Sequence, residues 1–235
     1  MPERSRVTQL KIRGVLRNLA KAIRLEIIFV VSIKLAIAVS LPNELIWSLV
    51  GLLLTIAGTF VEIFRVNPPW DWAEQGLQVS SLGITFQIGA VLLTGCLAGR
   101  YAGAIAQIAY VLLGLFWLPV FASGGGIDYW QQPSFGYLLG FIGGGFVCGW
   151  LAFLGERLRL ELLAISSFAG LLVIHACGLL YLAGLYYVPQ WLGGSAPFDL
   201  NTAAQIYSVN PIPGQLTLGC AVAVVAYFAR KLLAY

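Results

Sequence analysis

His175 is the single histidine of the chain, and it stands in Val173-Ile174-His175-Ala176-Cys177, inside an apolar run. An ionisable side chain in such a place ties helices together, contacts a ligand or moves a proton. With no second histidine, an imidazole-based metal centre lacks its ligands. The ten carboxylates are Glu3, Glu26, Glu44, Glu62, Asp71, Glu74, Asp128, Glu156, Glu161 and Asp199, and all fall at the ends of apolar runs or between them. Proton-relay carriers and di-metal enzymes need paired acids at mid-span, and none is present. Glu62 and Arg65, three apart at an expected helix end, read as a local ion pair. No nucleophile–base constellation is visible. No G-x-x-x-x-G-K-[ST] stretch exists to cradle ATP phosphates. The cysteines Cys96, Cys148, Cys177 and Cys220 lie in apolar runs without a CxxC partner and read as small buried hydrophobes. The residues therefore point away from an enzyme, and no cofactor is expected.

The amides offer a different chemistry. Gln87 follows Ile84-Thr85-Phe86, and Gln215 follows Asn210-Pro211-Ile212-Pro213-Gly214, each near the end of an apolar run. An amide donates and accepts at once. It reads a neutral polar head without the cost of a buried charge. The competing reading is a helix–helix hydrogen bond, worth about 0.6 kcal/mol in membranes. For Gln215 both readings stand; Gln107 lies deeper and reads as packing.

Placing such groups inside apolar runs requires a scaffold whose solvent is lipid. Of 235 residues, 59% are hydrophobic and 10% charged, with a mean hydropathy of +0.85. Soluble domains carry about 25% charged residues. Roughly 20 apolar residues cross the hydrocarbon core as a helix. The alternation of a β-barrel is absent. Spans are expected at Glu44–Phe64, Ile84–Gly99, Tyr101–Phe121, Phe135–Leu154, Leu160–Val188 and Gly214–Ala229. Gly136, Gly140 and Gly144 share one helical face, a small-residue stripe for close packing. Gly51, Thr55 and Thr59 make a second stripe, for packing or for docking a second membrane protein.

Half of the fourteen Lys/Arg fall within the first 24 residues: Arg4, Arg6, Lys11, Arg13, Arg17, Lys21 and Arg24. Beside a membrane domain this reads as a cytoplasmic anchor on anionic lipid rather than a nucleic-acid arm. The length of this basic region and the lack of an A-x-A site also argue against a cleavable signal peptide. Arg230-Lys231 close the last span and belong in the cytoplasm by the positive-inside rule. Counting back, 189–210, 122–134 and 65–83 lie outside, and six spans leave both termini inside. The further run Leu25–Leu41 carries Glu26 and Lys34; crossing there would carry the basic N-terminus outside, so it is expected at the interface. The organisation is thus 1–43, a basic and interfacial helical extension, and 44–235, an all-α six-helix membrane domain of the plasma (inner) membrane. The outer loops hold Asn67-Pro68-Pro69-Trp70-Asp71-Trp72, Ser123-Gly124-Gly125-Gly126 and Gly193-Gly194. Their length suits lids and binding loops.

A succession of motifs carries a family resemblance. It starts at Ile84-Thr85-Phe86-Gln87 and Ala90-Val91-Leu92-Leu93-Thr94-Gly95, then runs through Gly99-Arg100-Tyr101-Ala102-Gly103-Ala104 and Tyr110-Val111-Leu112-Leu113-Gly114-Leu115. It continues at Leu118-Pro119-Val120-Phe121, Gly124-Gly125-Gly126 and Gln132-Pro133-Ser134-Phe135-Gly136-Tyr137-Leu138-Leu139-Gly140-Phe141. Over roughly 47–235 the chain resembles the BioY family of biotin transporters, most weakly between 155 and 205. The resemblance implies the substrate-binding S component of an energy-coupling-factor transporter, a six-helix bundle with its ligand near the outer face. It further implies a transmembrane coupling protein and two ATPase subunits as partners.

Under this resemblance Tyr137, Gln215, Thr85, Gln87 and Ser123 supply polar contacts to biotin, and 122–134 acts as a lid. Where the family's last helix begins P-G-D-x-x-K, this chain reads Pro213-Gly214-Gln215-Leu216-Thr217-Leu218. The acid is replaced by Gln215 and the basic residue by Leu218. Two other readings stand beside biotin uptake: an S component for a different vitamin, motivated by the missing acid and basic residue, and a membrane scaffold that kept the bundle without the pocket, motivated by the long basic N-terminus.

Overall fold

The computed structural model describes residues 42–155, 157–192, 194 and 198–233. The extension expected over 1–43, including the run Leu25–Leu41, falls outside them apart from its last two residues.

Helix α1 (residues 42–59) leads into strand β1 (Glu62–Val66). A single turn of helix, α2 (Trp72–Gln75), and strand β2 (Val79–Thr85) follow, with β2 antiparallel to β1. The first span was expected to run to Phe64 but stops at 59, and the second begins at Gln87 rather than Ile84. The bundle is therefore helical with a β-hairpin added at one end. Val79, Ile84 and Thr85 favour a pleated strand, and the two strands satisfy each other's backbone groups where no helix continues. Asn67 closes the hairpin: its Nδ2 donates to Gly76 O at 3.0 Å, and its Oδ1 accepts from Gln78 N at 2.8 Å. Trp72 Nε1 donates to Asn67 O at 2.8 Å. Glu62 and Arg65 sit on this hairpin and do not pair with each other. Ser81 Oγ donates to Glu62 at 3.1 Å, and Arg65 Nε donates to Ser80 Oγ at 3.1 Å.

Helix α3 (Gln87–Phe116) breaks at Gly99, whose φ of 83° and ψ of −176° are open to glycine alone. Across the break, Gln87 Nε2 donates to Tyr110 Oη at 2.9 Å, although the two residues are 23 apart. In a straight helix they would stand about 34 Å apart. The two halves, 87–98 and 100–116, are thus an antiparallel pair, reversing where the sequence separates its second and third spans. The second half ends at Phe116 instead of Phe121, because Pro119 removes a donor and biases Leu118 away from helix.

Helices α4 (Phe135–Ala152), α5 (Leu160–Trp191), α6 (Leu200–Ala204) and α7 (Ile212–Leu232) complete the bundle. Helix α4 is the middle element, packed on α3 and α5, and α7 closes against α5 and α3. Glycines make the approach close. A Cβ at Gly95 or Gly103 would stand 2.9 or 2.8 Å from Gly145 O. One at Gly140 or Gly144 would stand 2.8 Å from Ile174 O or Gly170 O. The stripe of Gly51, Thr55 and Thr59 also faces inward. Thr55 and Thr59 are buried, Gln107 Nε2 donates to Thr55 Oγ1 at 3.0 Å, and a Cβ at Gly51 would stand 2.8 Å from Thr94 Oγ1. Packing is the use the fold makes of it.

Leu49, Leu53, Ile165, Leu172 and Leu180 point outward and are exposed, an apolar jacket suited to lipid. Among the described residues, four helices are long and apolar enough to cross a membrane: Gln87–Phe116, Phe135–Ala152, Leu160–Trp191 and Leu200–Leu232. The molecule is a membrane protein. Arg230 in the last turn of α7 donates from Nη1 to Ala152 O at 3.0 Å and lies 3.9 Å over the Phe153 ring.

Candidate functional site

The cavity sits at the hairpin end of the bundle, where four parts of the chain meet around about 250 Å³. The end of β2 and the start of α3 bring Thr85 and Gln87, and the α3–α4 connection brings Ala122, Tyr129 and Ser134. Helix α4 brings Tyr137, Leu138 and Phe141; the segment entering α7 brings Ile206, Tyr207, Pro211 and Gln215.

The α3–α4 connection is fixed by its glycines. Gly124 (φ 108°) and Gly126 (φ 104°) take conformations closed to other residues. Gly126 N donates to Gly114 O at 2.9 Å, anchoring the loop to the end of α3. The loop's aromatics then stack inward: Tyr110 meets Phe121 edge-on at 5.3 Å, Phe121 lies 4.6 Å from Tyr129, and Tyr129 lies 6.5 Å from Phe135. Tyr181 Oη donates to Trp130 O, tying the same loop to α5.

Helix α6 starts at Asp199, whose Oδ2 accepts from Thr202 N at 2.8 Å and from Thr202 Oγ1 at 2.7 Å. A π-helical turn, Gln205–Val209, follows it. That turn buries Ser208 and brings it between Tyr137 and His175. Tyr137 Oη lies 2.6 Å from Ser208 Oγ. Ser208 Oγ lies 2.9 Å from His175 Nδ1, and His175 Nε2 lies 2.6 Å from Gln215 Oε1. The amide oxygen can only accept, so His175 is assigned the Nε2–H tautomer. Its Nδ1 then accepts from the Ser208 hydroxyl, which in turn accepts from Tyr137. Four neutral groups form a one-way chain of donors ending on Gln215, whose Nε2 makes no hydrogen bond among the described residues. Two N–H donors remain at the cavity wall.

A second polar chain runs beside it. Gln87 Nε2 donates to Tyr110 Oη, which donates to Val120 O at 2.9 Å and lies 3.2 Å from Thr59 Oγ1. Gln87 Oε1 takes no partner among the described residues, so an acceptor also remains at the wall. Tyr137 and Tyr207 add flat apolar surface, their rings 6.0 Å apart and 33° inclined.

Of the five residues singled out in the sequence, Thr85, Gln87, Tyr137 and Gln215 line this one cavity. Ser123 is exposed on the loop, and its neighbour Ala122 lines the cavity instead. His175 makes interhelical hydrogen bonds, and Gln215 both makes one and lines the cavity. Ser208, Tyr110 and Tyr129 escaped notice. Tyr110 carried one signal: a phenol in an apolar run needs a polar partner when buried; Tyr129, in the glycine-rich connection, carried none. Ser208 carried none, because a π-helical turn has no sequence signature.

Leu218 lies elsewhere. A Cβ at Gly89 would stand 3.1 Å from its side chain. With Leu54, Ala57, Phe86 and Val222 it lines a wholly apolar cavity of about 310 Å³ between α1, α3 and α7. The position where the family resemblance implied a basic residue is turned to an apolar groove.

Known proteins share this architecture. A crystal structure of the S-component for biotin from an ECF-type ABC transporter superposes with a TM-score of 0.58 and 21% identity, covering 80% of this chain and 90% of that one. An uncharacterised 21.2 kDa protein from the psbX-ycf33 intergenic region of Cyanophora paradoxa is 32% identical over 190 residues, 80% of this chain and 95% of that protein. The biotin transporter BioY of Thermotoga maritima is 42% identical over 127 residues, 54% of this chain and 71% of that protein. The family model covers residues 33–235, from before α1 to the last residue, and on that match the chain belongs to the BioY family.

Proposed function

We propose that this protein is the substrate-capturing S component of an energy-coupling-factor transporter and takes up biotin from the outer face of the plasma membrane. The observation that carries the reading is the set of groups at the cavity wall: two N–H donors on Gln215 and an acceptor on Gln87, each without a partner among the described residues. A ureido ring presents the complementary set, a carbonyl oxygen and two N–H groups. Tyr137 and Tyr207 suit its apolar flank. The names carried by its relatives, and the fold shared with an S-component for biotin, support the same ligand.

In this reading the bundle crosses the membrane six times, through α1, the two halves of α3, α4, α5 and α7. Arg230 and Lys231 then hold the C-terminus in the cytoplasm, the N-terminus lies on the same side, and the cavity opens outward beneath residues 122–134 as a lid. Transport draws its energy from a transmembrane coupling protein and two ATPase subunits. Calorimetry with biotin on the purified chain in nanodiscs tests the binding step. Saturable one-to-one binding is expected; a folded sample that takes up no biotin-type compound overturns the reading. The apolar setting of Leu218 favours one second reading, an S component for a different vitamin, which a ligand panel distinguishes.

A further inference from the structure

Every described residue lining the polar cavity is uncharged. Its hydrogen-bonding groups, Thr85, Gln87, Tyr129, Ser134, Tyr137, Tyr207 and the His175-bonded Gln215, are all neutral. The segments feeding the cavity (60–86, 117–134 and 192–211) carry five carboxylates, Glu62, Asp71, Glu74, Asp128 and Asp199, against one cation, Arg65. Glu62 is the register partner of the lining residue Thr85, and Asp128 precedes the lining residue Tyr129. Arg65 is exposed on β1 and donates to Ser80. The residues at 193 and 195–197 are Gly, Ser, Ala and Pro and add no charge. These connecting segments therefore carry net negative charge, which disfavours an approaching anion. Once inside, it loses water without gaining a cation or a charged donor.

We infer that the cavity selects an uncharged ligand. Resting on the biotin reading above, that ligand is a biotin-type compound whose carboxylate is masked as an amide or ester. The ureido head engages Gln215 and Gln87, and the masked tail lies along the apolar walls of Leu138, Phe141 and Ile206. Free biotin fits the same head site but leaves its carboxylate with no cation among the described lining residues.

The test is a calorimetric comparison of three probes on the full chain in nanodiscs at neutral pH: biotin, biotinamide and biotin methyl ester. The inference expects the amide and the ester to bind about tenfold or more tightly than biotin. Raising the salt should narrow the gap, because repulsion from the carboxylates of the connecting segments is screened. Biotin binding as tightly as biotinamide, or more tightly, overturns the inference and leaves the biotin reading standing. Binding of none of the three by a folded sample removes the biotin reading and the inference with it.

Discussion

His175 Nε2 and Gln215 Oε1 meet at 2.6 Å, although they are 40 residues apart on α5 and α7. That contact fixes the imidazole tautomer and turns the amide's two N–H groups to the cavity. The substitution Gln215→Ala removes both donors and leaves His175 Nε2–H unpaired. Biotin affinity should fall roughly two- to tenfold, the worth of a neutral hydrogen bond, with the size-exclusion profile unchanged. Gln215→Glu keeps an acceptor for His175 but loses the donors, and should weaken binding at least as much. Unchanged affinity in both removes Gln215 from the site.

Tyr110 joins stability to binding. Its hydroxyl serves Gln87 and Val120 O, so Tyr110→Phe orphans a buried carbonyl and frees the Gln87 amide to turn. The unfolding midpoint in detergent should drop by the equivalent of about 1–3 kcal/mol, and biotin affinity should drop with it. A lowered midpoint with intact affinity would separate Gln87 from the ligand.

Close packing of α4 on α3 depends on a missing methyl group. A Cβ at Gly145 would stand 2.9 Å from Gly103 O, whereas one at Gly184 on α5 meets nothing within 4 Å. Gly145→Ala should cost about 1–3 kcal/mol through forced separation of the helices. Gly184→Ala should be neutral, or stabilise by up to about 1 kcal/mol, because glycine loses more freedom in a helix than alanine. Thermal unfolding of the two variants side by side checks the contrast.

The Asp199 cap titrates. The Thr202 hydroxyl and then the Thr202 backbone N–H hold its carboxyl below the usual range. A depressed folded value means the cap's contribution is complete above the unfolded carboxylate's pKa, ~3.9, and disappears as the pH falls through the lower folded value. The difference in unfolding midpoint between the native chain and Asp199→Asn should be present at pH 6 and smaller at pH 3. A difference independent of pH would refute the cap.

Much of this was legible in the sequence because lipid imposes simple rules. Apolar runs gave the long helices, and the motif from Leu118 to Phe141 gave the family. The helix ends were less legible. Residues 60–66 are apolar enough to continue α1, and only pairing with 79–85 turns them into a strand. At the cavity, Gln87 and Gln215 stood out because polar groups in apolar runs need partners, and Tyr137 because the family resemblance implied it. Ser208 did not, since its inward position comes from the π-helical turn ahead of α7. Ser123, offered under the resemblance, is exposed on the connection, where Ala122 lines the cavity.

The reversal at Gly99 also sets the parity of everything after it. If residues 87–116 ran on as one straight rod, Tyr110 would stand on the far side of the bilayer from Gln87. The loop of Gly124–Gly126 would lie at the opposite end of the bundle from the hairpin, and α4, α5 and α7 would each have to run in the reverse direction. A single glycine thus decides the direction in which every later helix runs, as well as the shape of one turn.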